Sequence, residues 1–189
     1  MGSVTKIAVL AGTTRIQRES IHAARLVAKL GGAIDEVEIK FVDPSELDFP
    51  HDGNDPEGKD PRYTAITEWA DAFFIVTPEY NHSFPGSLKR MLDSELANYV
   101  HKPVALAGAS SGHWGGVRAV EALVSSVREM GLVVTSSQLY FPNVADLFEA
   151  GELKHEHAEG YIKSIRAAYS ELIWMSMSLR WGRDNLPRA

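Results

Sequence analysis

The sequence predicts an α/β fold in which a parallel sheet is buried between helices on both faces. Three observations predict it. Three of five short strand-like runs are apolar almost throughout, as strands covered on two sides are. Segments with apolar residues at helical spacing lie between them. With 189 residues and 44% hydrophobic composition, the chain fills one domain core and is too short for two such domains.

The elements follow in order. Thr5 to Gly12 (TKIAVLAG) is the first strand and ends in glycine. Ser20 opens a helical pattern with Ile21, Ala24, Val27 and Ala28 on one face, closed by Gly31-Gly32. Val37 to Val42 (VEIKFV) alternates and forms the second strand. Ala72 to Thr77 is the third, Pro103 to Ala109 the fourth and Val133 to Phe141 the fifth. Leu88, Met91, Leu92 and Leu96 share one helix face after the third strand. Val117, Val120, Leu123, Val127 and Met130 do so after the fourth, and helical spacing runs from Tyr161 to Ile173. This alternation implies a parallel sheet and a single domain over residues 1–189. Asp43 to Arg62, with Pro44, Pro50, Pro56 and Pro61, has no clear period and reads as a long functional or mobile connection.

The composition excludes several function classes. A net charge of −6 argues against nonspecific nucleic-acid or anionic-membrane binding, while leaving room for a local anion site. Without cysteine there is no disulfide, thiolate nucleophile, iron–sulfur cluster or Cys-based zinc site, and a cytoplasmic location is expected. Ile7 to Ala11 is too short for a signal segment or membrane span. His155 and His157 precede a helix without further ligands nearby, so they read as a solvated helix start, and no metal is expected.

In an open parallel sheet, ligands sit beyond the carboxyl ends of the strands. The loop after the first strand is Gly12-Thr13-Thr14-Arg15-Ile16-Gln17-Arg18-Glu19-Ser20, which matches neither the dinucleotide nor the P-loop pattern. It offers hydroxyls, a fixed cation and a helix start, a set suited to a terminal monophosphate. An ordinary polar turn with Ser20 as cap fits the same residues. After the third strand, Pro78 and Pro85 bracket a rigid stretch, Pro78-Glu79-Tyr80-Asn81-His82-Ser83-Phe84-Pro85-Gly86, whose backbone is fixed enough to read a flat ring. After the fourth, Ser110-Ser111-Gly112-His113-Trp114-Gly115-Gly116 leaves little side-chain bulk above the strand.

These three segments together resemble the NAD(P)H-dependent FMN reductase family, which includes quinone, chromate and azo-dye reductases. The Pro78-Glu79-Tyr80-Asn81-x-Ser83-x-Pro85-Gly86-x-Leu88-Lys89 stretch with Asp93 carries most of the resemblance. It implies a flavodoxin-like three-layer sandwich with a five-stranded parallel sheet in the order 2-1-3-4-5. It also implies FMN as cofactor and NAD(P)H as co-substrate. Thr13, Arg15 and Ser20, with the amides of Ile21 and His22, would hold the phosphate. Pro78, Glu79, Tyr80 and Asn81 would line the ribityl chain and ring, and Ser110, Ser111 and Gly112 the pyrimidine side. The flavin would take hydride from the nicotinamide and pass two electrons to a quinone, free flavin or similar small acceptor, with no catalytic side chain. The first loop is two residues longer than the common family form between Arg15 and Ser20. An FMN-binding electron carrier of the flavodoxin type is the alternative. Trp114 either flanks the ring or packs under its loop or against another subunit. Trp174, Met177 and Trp181 make the carboxyl-terminal helix more apolar than one core-facing stripe requires, and a homodimer or homotetramer is expected.

Overall fold

In a computed structural model the structure describes residues 4–187. Five parallel strands form one sheet in the order β2-β1-β3-β4-β5: β1 Thr5–Ala11, β2 Val37–Val42, β3 Ala72–Pro78, β4 Pro103–Ala109 and β5 Val133–Phe141. The expected strand order is the observed one. Central strands β3 and β4 are buried at every residue, which is why they read as unbroken apolar runs.

Side chains alternate between two cores. Val9, Phe74, Val76 and Ala107 pack under α1 (Ser20–Gly31) and α6 (His155–Asn185). Leu10, Phe73, Ile75 and Leu106 pack under α2 (Pro61–Trp69), α3 (Gly86–Asp93) and α4 (Val117–Glu129). The chain therefore winds outward to β2 from β1 and in the other direction from β3. The turns after β1 and β3 diverge at this reversal, and a crevice opens between them.

Several elements differ from expectation. Leu96 is exposed rather than on the face of α3, because that helix stops at Asp93 and Ser94 turns its hydroxyl back to the Met91 carbonyl (2.8 Å). The stretch from Asp43 to Arg62 is not featureless. It holds two 3-10 turns, Pro44–Glu46 and Pro56–Gly58, and ends in the first turn of α2. The buried Asp60 carboxylate ties it together, accepting from the amides of Asp48 (2.8 Å) and Arg62 (2.9 Å) and from the Arg62 guanidinium (2.6 Å). A short helix α5 (Val144–Leu147) and a hairpin of β6 (Phe148–Glu149) and β7 (Glu152–Leu153) follow β5, and α6 runs well beyond the segment that periodicity marked.

Candidate functional site

The first rim turn is built on buried polar contacts. Gly12 leaves β1 so close to β3 that a Cβ there would lie 2.8 Å from the Thr77 Cα. Thr13 is buried; its hydroxyl accepts from the Arg15 amide (3.2 Å) and shares a hydrogen bond with the Tyr80 hydroxyl (3.0 Å), joining the turns that follow β1 and β3. Arg18 folds inward and donates to the Thr13 carbonyl (2.6 Å), the Ser45 hydroxyl (3.1 Å) and the Asp43 carboxylate. Burial pushes the Asp43 carboxyl up, but the Ser45 donors and the Arg18 guanidinium outweigh it and hold the group below its usual range. Arg15 is exposed, and among the described residues its guanidinium has no hydrogen-bond or ion-pair partner.

The hydrogen bonds that open α1 decide which amides of this turn are free. Ile21 and His22 were expected to offer theirs, but they close the first helical turn on the carbonyls of Arg18 (3.4 Å) and Glu19 (3.1 Å). Among the described residues, the amides of Gln17, Arg18, Glu19 and Ser20 donate to no protein group. The free donors thus lie one turn earlier than expected. The His22 ring faces away, 5.7 Å from Phe148 in β6.

The turn after β3 is a two-residue reversal. Tyr80 and Ser83 exchange both backbone hydrogen bonds (2.8 and 3.0 Å), with Asn81 and His82 left-handed at φ 51° and 64°. Positive φ at both corners is the geometry of a type I′ turn, and Asn is among the residues that tolerate it best. Glu79 donates its amide to the Ala109 carbonyl (3.1 Å), and its carboxylate accepts from the Arg118 amide (3.2 Å) at the positive end of α4. Beyond β4, a Cβ on Gly108 would lie 2.7 Å from the carbonyl oxygens of Gly115 and Gly116, so the glycine-rich turn folds directly over the strand. Ser110 accepts from the Val144 amide (2.9 Å) and Gly112 from that of Asn143 (3.2 Å), which brings α5 to the same rim.

These turns enclose a cavity of about 420 Å³. Arg15, Ser20, Pro78, Glu79, Tyr80, Ser110 and Ser111 of the expected set line it. Thr13 sits beneath as a support, Asn81 forms the turn corner, and Gly112, Ile21 and His22 lie outside the lining. Gln17, Arg18, Glu19, Ala109, Val144 and Ala145 complete the walls. Of these, Val144 and Ala145 had only their place after the fifth strand as a signal. Trp114 is exposed and does not pack under its loop. A larger groove of about 510 Å³ between β5 and α6 has neither Arg nor Lys in its lining. The rim cavity joins an unpartnered arginine, a serine hydroxyl and four unpaired amides beside backbone-walled turns. This donor set fits a terminal phosphate bearing a flat ring system.

The family model for NADPH-dependent FMN reductases matches residues 5–146, a span that contains every residue lining the cavity. This chain belongs to that family. Its members are oxidoreductases that work with FMN and a reduced nicotinamide, and so is this chain. It is 31% identical over 176 residues to a quinone reductase of Escherichia coli, covering 82% of this chain and 91% of that one. It is 30% identical over 160 residues to a quinone reductase of Pseudomonas putida, covering 79% and 84%. Among solved structures, the flavoenzyme NAD(P)H:acceptor oxidoreductase FerB of Paracoccus denitrificans superposes with a TM-score of 0.69 at 23% identity, covering 91% and 97%, a likeness of fold.

Proposed function

We propose that the rim cavity holds FMN and that this chain uses it to reduce quinones, free flavin or similar small acceptors with NAD(P)H. The observation that carries the reading is the cluster of unpaired donors at one end of the cavity: Arg15, Ser20 and the amides of Gln17 to Ser20. A phosphate dianion seated there takes a charge-assisted bond from Arg15 and the positive end of α1. Thr13 supports that turn from below, and the Ile21 and His22 amides stabilise its first helical turn. Pro78, Glu79, Tyr80 and Asn81 present the edge along which the ribityl chain and ring lie. Ser110, Ser111 and Gly112 face the pyrimidine side, where backbone and hydroxyl donors stabilise negative charge.

When bound, FMN supplies the two-electron redox chemistry. The protein contributes position: it covers one side of the ring with backbone, keeps the Tyr80 hydroxyl on Thr13, and holds Glu79 against α4. No side chain is assigned a catalytic role. Membership of a reductase family favours an enzyme over an electron carrier. Quinones are the acceptors of choice because relatives that this chain matches over most of their length are named quinone reductases. We further propose one domain over the whole chain, a homo-oligomer, and a cytoplasmic location. The absence of cysteine is consistent with that location, and among the described residues no helix is long and apolar enough to cross a membrane.

The visible spectrum of the purified protein, taken anaerobically before and after NADPH, tests the reading. Flavin absorption that bleaches promptly and returns on adding a quinone is expected. Flavin that stays oxidised with both nicotinamides would make the chain a carrier, and a colourless protein indifferent to added FMN would refute the site.

A further inference from the structure

We propose that two copies of this chain pair through the outward face of α6, antiparallel, about a two-fold axis passing between Met175 and Ser176. The proposal rests on the homo-oligomer reading above and names its surface. Helix α6 covers the sheet and α1 with Ile165, Ala168, Tyr169, Leu172 and Ser176, all buried. At 3.6 residues per turn the opposite side faces solvent, where a helix that only covers a sheet carries polar residues. There α6 carries Trp174, Met177 and Trp181, which are 69%, 50% and 61% exposed.

The outward residues keep a heptad. Ala167, Ser170, Trp174, Met177, Trp181 and Asp184 follow in alternating steps of three and four, and all are exposed. That is the seam spacing of a two-helix coiled coil. In an antiparallel pair about this axis, Trp174 meets the partner's Met177, Ser170 meets the partner's Trp181 and Ala167 meets the partner's Asp184. Each small residue stands opposite a larger one, and each contact occurs twice, as a two-fold interface requires. Arg166, beside Ala167, comes next to the partner's Asp184 with opposite charge. Neither residue has an ion-pair partner in its own chain among the described residues. A parallel pair would instead set Trp181 on Trp181 and Arg166 on Arg166.

Fully covered, each indole contributes roughly 150–250 Å². At their observed exposure the two supply about a third of the ~800 Å² per partner in a standard interface, and the rest of the ~26 Å between Ala167 and Asp184 supplies more. The charges along the stripe, Lys163, Arg166 and Asp184, are mixed rather than polybasic, which favours a second copy over an anionic membrane. The seam also lies beyond residue 146, outside the span the family shares.

Light scattering of the full flavin-loaded protein at low micromolar concentration tests this. A dimer or a multiple of one is expected, with half that mass for the doubly substituted Trp174→Glu, Trp181→Glu chain at unchanged flavin content and circular dichroism. Arg166→Asp and Asp184→Arg are each expected to weaken self-association about tenfold, and combining them to restore it; this swap remains decisive if the tryptophan variant fails to fold. A parent that is monomeric overturns the seam and the oligomer reading together. An oligomer indifferent to all four substitutions overturns the seam alone. A monomeric parent that sediments with anionic vesicles assigns the stripe to a membrane surface instead. In each case the flavin content is read separately, so the FMN site stands or falls on its own.

Discussion

Arg15 and Arg18 lie three residues apart in one turn, and only the partners that folding brings to them tell them apart. Arg18 is drawn inward by a buried carboxylate at the end of β2, by Ser45 and by the Thr13 carbonyl, so its charge serves the fold. Arg15 is left on the cavity wall with its guanidinium unclaimed. Arg15→Ala is therefore expected to weaken FMN binding by about 1.5–3 kcal/mol, the worth of a charge-assisted hydrogen bond, while the melting temperature of the apoprotein stays put. Fluorescence titration with FMN measures the first, and an affinity within twofold of the parent would mean the phosphate lies elsewhere. Arg18→Ala is expected to act the other way round. It strands Asp43 without a cation and lowers folding stability by about 3 kcal/mol in urea titration of the apoprotein. An Arg18→Ala chain that unfolds like the parent would show that the inward strut carries no load.

Among the elements, α2 shows what periodicity misses. It buries little beyond Tyr63 and Thr67, so no apolar stripe announces it. Its start was nonetheless written as Asp60-Pro61, a cap followed by proline at the first helical position. Asp60 closes that end with four donors, and the Arg62 guanidinium, against an opposing cost of burial, holds its pKa down to about 2 from 3.8. A depressed folded-state pKa means the unfolded chain takes up the proton first on acidification. The stabilisation is complete above the unfolded value and is lost as pH falls from 3.8 to about 2. Asp60→Asn is expected to cost about 2 kcal/mol at pH 7, the equivalent of that shift. Thermal melts across pH should show the difference between parent and variant closing below pH 4; a constant difference would mean packing, not charge, is responsible.

At the scale of the molecule, the site exists only where three turns of one sheet meet, so binding and folding are coupled. FMN at about a hundred times its dissociation constant is expected to raise unfolding stability by about 2.7 kcal/mol, and Arg15→Ala to reduce that gain at equal FMN concentration. Equal melting temperatures with and without saturating FMN would separate the cofactor from the folded rim. The sequence by itself determined the five strands of the main sheet, the helices that carry an apolar stripe, the three rim turns at the strand ends and the family they resemble. Apolar runs, glycines and prolines act over a few residues and can be read one after another. Only the tertiary structure decided which arginine stays free, that the free amides run from Gln17 to Ser20, that Val144 and Ala145 join the wall, and which face of α6 looks outward. Those outcomes depend on partners far apart in the chain, such as Arg18 with Asp43 or Thr13 with Tyr80, and contacts of that range leave no period in the sequence.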